Sequence, residues 1–112
     1  MKQLMIYKGA NAGETAALDP SDALYEIALA ASTAQATPVP LGSRFAIFSA
    51  TGDFYARYDG SAAVIPTSAT WTTGNVELNP GVRKVTALTA ESSTVISVIA
   101  PADCVITIAF YS

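Results

Sequence analysis

The last nine residues restrict the fold more than any other part of the chain. Cys104, Ile106, Ile108 and Phe110 recur at every second position. They therefore share one face of an extended strand, because successive side chains of a strand point to opposite sides. The other face carries Val105, Ala109 and Tyr111, and Thr107 is its only clearly polar member. A sheet with one solvated face alternates apolar and polar residues. This strand does not, so its second face is expected to be covered as well, by another subunit or by the chain's own N-terminal segment.

Other period-two runs extend the pattern. In residues 44–49, Phe45 and Ile47 face one side and Arg44, Ala46 and Phe48 the other. Ala50-Thr51-Gly52-Asp53 supplies turn chemistry, after which Phe54, Ala56 and Tyr58 alternate with Tyr55 and Arg57, and Asp59-Gly60 closes the run. Residues 94–99 form a β-branched run that turns at Ala100-Pro101-Ala102-Asp103 into the final strand. Weaker strands are expected at residues 3–7, 76–78 and 82–88. The two segments built around Asp53 and Asp103 share one order: apolar strand, four-residue turn ending in Asp, apolar strand. Read as hairpins, they suit two sheets packed face to face. One segment is ambiguous. Asp19-Pro20-Ser21-Asp22 resembles a helix start, and Leu24, Ile27, Ala28 and Ala31 keep helical spacing. Tyr25, Ile27 and Leu29 alternate as a strand would. Local physics favours the helix slightly. The expected fold is an all-β antiparallel sandwich with at most one short helix.

Composition excludes more functions than it suggests. The 112 residues make one domain able to fold without staples. There is no histidine and one cysteine, Cys104. A histidine-based catalytic triad, histidine-ligated metal, an intrachain disulfide and a cysteine zinc cluster are thereby ruled out. Six basic residues against nine acidic ones are too few to build a broad phosphate-neutralising surface, so nucleic acid is not an expected partner. The charge-free stretches 27–43 and 60–76 are interrupted by Pro38, Pro40 and Pro66, so neither predicts a membrane span. The opening lacks the apolar core of a secretory signal, which predicts a protein made in the cytoplasm. Charged residues make up 13% of the chain, against about 25% in ordinary soluble domains. Either much of the surface is covered in an assembly, or abundant alanine raises the mean hydropathy while burying little.

Residues able to carry chemistry are few. Asp53 and Asp59 lie six positions apart along one strand, roughly 20 Å, too far for a pair of catalytic carboxylates. They read as turn residues. Asp19 and Asp22 lack the third acid of a calcium loop and read as capping residues. Cys104, with no basic neighbour in sequence, reads as a buried, inert thiol. Trp71 sits in a charge-free loop, as an interface anchor or a core plug. Tyr55 and Arg57 form a small outward face of their strand, and Tyr111 lies on the outer face of the last one. No catalytic, cofactor-binding or metal-binding residue is expected. Tyr55, Arg57, Trp71 and Tyr111 are the candidate partner contacts.

Residues 24–34, Pro40-Leu41-Gly42-Ser43-Arg44-Phe45, residues 52–60, Glu77-Leu78-Asn79-Pro80 ahead of Arg83, and residues 96–105 together resemble small virion proteins of tailed bacteriophages. The likeness is to jelly-roll or β-sandwich decoration (cement) proteins of capsids and spans roughly residues 24–111. It implies a strand at residues 24–31 in place of the helix. Residues 9–19 have no counterpart in that family, and the chain is expected to divide into an N-terminal strand and extended arm, residues 1–23, and a sandwich domain, residues 24–112. The resemblance further implies a non-enzymatic protein without cofactors, located on the capsid surface, with the major capsid protein and itself, as homodimer or homotrimer, for partners. A sugar- or receptor-binding module of a phage tail or fibre is the alternative.

Overall fold

The computed structural model describes residues 1–8, 16–67, 70–71, 73–85 and 95–112. Among the described residues ten strands appear in chain order: β1 (Ile6–Lys8), β2 (Ala16–Leu18), β3 (Leu24–Leu29), β4 (Gln35–Pro38), β5 (Phe45–Ala50), β6 (Tyr55–Arg57), β7 (Glu77–Leu78), β8 (Val82–Lys84), β9 (Val95–Ile99) and β10 (Cys104–Tyr111). Among the described residues there is no helix, hence none long and apolar enough to cross a membrane.

β1 and β2 form an antiparallel pair of their own. The other eight strands make two four-stranded antiparallel sheets, in the orders β3-β10-β5-β8 and β4-β9-β6-β7. Across them the first strand pairs with the last, β4 with β9, β5 with β8, and β6 with β7. The chain is thus one long antiparallel ribbon, doubled back between β6 and β7 and rolled so that alternate rungs fall in opposite sheets. That is the jelly-roll solution to the edge problem of an all-β chain.

The core lies between the sheets. Ile27 and Leu29 of β3, Phe48 of β5 and Ile106, Ile108 and Phe110 of β10 face Ala56 of β6 and Ile96 and Val98 of β9. Phe110, Ile106, Ile108, Ile96 and Val98 are fully buried, each such side chain stabilising the fold by about 1.5–3 kcal/mol relative to exposure. Tyr25 meets Phe110 edge-on, with ring centroids 5.1 Å apart. Among the described residues no buried side-chain nitrogen or oxygen lacks a hydrogen bond.

Two local readings are corrected. Residues 24–29 are a strand, as the virion-protein resemblance implies, and the helix favoured by local signals is absent. β10 offers this segment a six-residue ladder, from Leu24 opposite Ala109 to Leu29 opposite Cys104. The ladder satisfies those backbone groups of residues 24–29 that face β10, while Tyr25, Ile27 and Leu29 turn their side chains inward. Without a helix there is nothing to cap, and Asp22 serves the chain terminus instead. Asp22 accepts the Lys2 backbone N–H at 3.0 Å, and this bond holds its carboxyl below the usual range.

The segments around Asp53 and Asp103 are not hairpins. β5 and β6 lie in different sheets, as do β9 and β10, so each turn is a corner carrying the chain across the sandwich. The corners bond to one another: Thr51 N–H donates to the Val105 carbonyl at 3.0 Å, and Val105 N–H donates to Thr51 Oγ1 at 2.9 Å. Asp103 accepts the Ala31 N–H at 2.8 Å and so joins the β3–β4 corner to the same end. There Ser32 takes a left-handed φ of 56°.

The strands expected at 44–49, 54–58 and 76–78 are present, each displaced or shortened by one or two residues, and Val95–Ile99 of the strand expected at 94–99 is present in full. Position 94 lies outside the described residues, as do 86–88 of the expected strand 82–88 and 9–15 of the expected arm. The opening strand lies at Ile6–Lys8 rather than 3–7. Ahead of it, Lys2 and Leu4 bond to Ser112 beyond the end of β10.

Candidate functional site

Two of the four expected contact residues, Tyr55 and Arg57, share one face of the molecule. Tyr55 and Arg57 lie two apart on β6 and share the outer face of the second sheet, since Ala56 between them is fully buried. The Arg57 guanidinium is anchored by its own strand end. Its Nε and Nη2 donate to the two Asp59 oxygens at 2.7 and 2.9 Å. Asp59 also accepts the Ser61 N–H at 3.1 Å, closing the turn. These bonds, Arg57 first, bring the Asp59 carboxyl down to about 2. Asp59 is therefore the turn residue the sequence indicates. Asp53, at the corner between β5 and β6, instead accepts from Asn79 Nδ2, 26 residues on, at 2.9 Å.

The chain between β6 and β7 then folds back over this outer face. Ala63 is buried, and its N–H donates at 2.9 Å to the Oγ of Ser97 on β9. Beside it, Arg57, Val64, Ile65, Pro66, Gly74 and Val76 line a depression of about 250 Å³. Trp71, farther along the same connection, is 89% exposed. Of the two roles weighed for it, the core plug is excluded in the chain as it stands.

Tyr111 is in neither place. It is 4% exposed, and its hydroxyl donates to the Asp19 carbonyl at 2.7 Å. The N-terminal segment covers this end of β10, so the chain itself supplies that part of the expected cover. It does not supply the rest. Val105, at the other end of the same face, is 47% exposed.

The register of the first sheet shows what lies between them. Leu24 of β3 stands opposite Ala109 of β10, Ala109 opposite Ile47 of β5, and Ile47 opposite Val82 of β8. All four point away from the core. They make an unbroken apolar row across every strand, about 15 Å long at the usual strand spacing. Leu24 is 52% and Val82 51% exposed, and Ile47 is half-buried. Half-buried Phe45 borders the row on one side, and Glu26, Thr107 and Ser49 on the other. This row is missing from the contact residues expected from sequence. That Phe45 and Ile47 share a face was legible there, but that this face is the outer one, and its alignment with Leu24 and Val82, required the tertiary structure.

The chemistry available is that of association. Among the described residues no three of histidine, cysteine, aspartate and glutamate cluster to hold a metal. Cys104 is buried, which pushes its thiol up from the ordinary value and away from nucleophilic reactivity. Among the described residues, Glu77 is the one carboxylate joined to two partners from other strands or their ends. It accepts the Tyr58 hydroxyl at 2.6 Å and Arg83 Nε at 3.0 Å. The first of these bonds contributes most to holding its carboxyl below 4.5. This cluster spans from β7 to β8 and closes one open side of the sandwich.

No known family, curated protein or solved structure matches the chain.

Proposed function

We propose that the chain is a structural virion protein, a decoration protein that binds the outside of a phage capsid and stabilises it. It acts by association, without catalysis or a cofactor. It is made in the host cytoplasm, functions as a homo-oligomer and has the major capsid protein as its partner. The observation that carries this reading is the apolar row Leu24–Ala109–Ile47–Val82 on the solvent side of the first sheet. A row of this size, about 25 cal/mol per Å² of apolar surface covered, supports a weak single contact. On a lattice that repeats the contact many times, weak contacts add to a large stabilisation. The low charged fraction of the chain supports the same reading.

The test is addition of the purified chain to capsids of its parent phage stripped of it. The expected result is saturable binding and a higher temperature of capsid rupture, both reduced by Leu24→Lys and Val82→Lys. Capsids that neither bind the chain nor gain stability would remove the reading. Trp71, 89% exposed beside a polar connection, favours the second reading, a sugar- or receptor-binding module of a tail or fibre. Under that reading glycans quench the Trp71 fluorescence and capsids do not.

A further inference from the structure

Each four-stranded sheet has two edges, and three of the four edges are blunted. β7 is two residues long, β8 is three and carries Arg83 and Lys84, and β4 is four and ends in Pro38. Short strands, basic side chains and proline are the ordinary means by which sheets avoid pairing edge to edge. β3 has none of them. It runs six residues in unbroken register with β10, and Glu26 is its only charged side chain.

The ladder determines which backbone groups of β3 face away from β10. Phe110 N–H donates to the Ala23 carbonyl at 2.9 Å. Because an antiparallel strand turns alternate residues to alternate sides, residues 25, 27 and 29 also bond toward β10. Leu24, Glu26 and Ala28 turn outward. Their three N–H and three carbonyl groups have no partner among the described residues, and all three residues are exposed.

We infer that this edge is a homodimer interface, β3 pairing antiparallel with β3 of a second copy about a two-fold axis at Ile27. Residues directly opposite each other must point to the same face, which leaves two central registers. One sets Glu26 against Glu26 of the second copy at about 5.5 Å, a destabilising like-charge pair. The other sets Ile27 against Ile27, Tyr25 against Leu29 and Glu26 against Ala28. In that second register the outward groups of Glu26 meet those of Ala28 in both directions, so the edge is its own complement. This self-complementarity is what selects a second copy over a foreign strand. The axis runs perpendicular to the sheet. The dimer is one eight-stranded sheet with both apolar rows on the same side, which deepens the proposed docking mode. It forms from the chain alone, so its failure and the failure of capsid binding are separate results.

Sedimentation of the full chain at micromolar concentration tests it. The expected species is a dimer, twice the 11.6 kDa of the chain. Ala28→Pro deletes an outward N–H without touching the β10 ladder, and is expected to give a monomer with an unchanged β circular dichroism spectrum. Cross-linking fixes the register and stands even if that variant does not fold. Copies carrying E26C mixed with copies carrying A28C are expected to join under diamide, whereas E26C alone stays unlinked. A monomeric or trimeric wild-type chain overturns the inference. So does a folded Ala28→Pro dimer, failure of the mixed copies to join, or cross-linking of E26C alone.

Discussion

Glu77→Ala is the substitution whose cost the structure specifies most closely. The carboxylate receives the Tyr58 hydroxyl at 2.6 Å and Arg83 Nε at 3.0 Å, but the two bonds differ in worth. Arg83 and Glu77 are 42% and 41% exposed, and ion pairs in water at that exposure contribute about 0–1 kcal/mol. Tyr58 packs its ring against Phe48, with centroids 6.5 Å apart. Its hydroxyl would be left short of a partner, and a hydrogen bond to a charged group is worth about 1.5–3 kcal/mol. Glu77→Ala is therefore expected to cost about 2 kcal/mol, and Arg83→Ala less than about 1 kcal/mol. For a domain of this size about 1 kcal/mol moves Tm by about 4 °C. Calorimetry should place Glu77→Ala about 8 °C below wild type and Arg83→Ala within about 4 °C. The pH dependence carries its own sign. The folded carboxyl lies below its ordinary value of 4.5, so its stabilising contribution is complete above that value and is lost as pH falls through the lower, folded one. Tyr58→Phe should flatten that acid limb. Equal losses for Arg83→Ala and Glu77→Ala, or an acid limb unchanged in Tyr58→Phe, would refute the ranking.

Ser97→Ala orphans the buried Ala63 N–H, which should cost about 1–3 kcal/mol and open residues 61–67 to limited proteolysis. A loop that stays resistant would show that other contacts hold it. Cys104, buried and with its thiol pushed up, should react with Ellman's reagent only after denaturation, and Cys104→Ala should lower Tm while leaving partner binding per folded molecule unchanged. Trp71→Ala removes an 89% exposed side chain and should change stability by less than about 0.5 kcal/mol, while weakening binding to the partner by tenfold or more; unchanged binding would take Trp71 out of the interface.

The all-β character was legible in residues 44–58 and 94–110 because strand faces recur at every second residue and β-branched runs favour extended backbone, and both are written residue by residue. The turn role of Asp59 was legible because it depends on close neighbours in the chain, Arg57 and Ser61. Asp53 instead bonds Asn79, 26 residues on, and the burial that raises the Cys104 thiol comes from the packed core. Local order also showed where the chain turns, at Ala50–Asp53 and Ala100–Asp103, but not what it turns into. Whether two strands flanking a turn pair with each other or part into opposite sheets depends on which other strands compete for their edges. β10 takes both β3 and β5 as neighbours, and that competition makes corners of apparent hairpins. It also overrides the helical spacing of residues 24–31, because a six-residue ladder outweighs a weak local preference. The burial of Tyr111 depended on Asp19, 92 residues away. The apolar row across the first sheet depended on four strands meeting in one register. Both are products of long-range pairing, which a single sequence constrains only through the face each side chain takes.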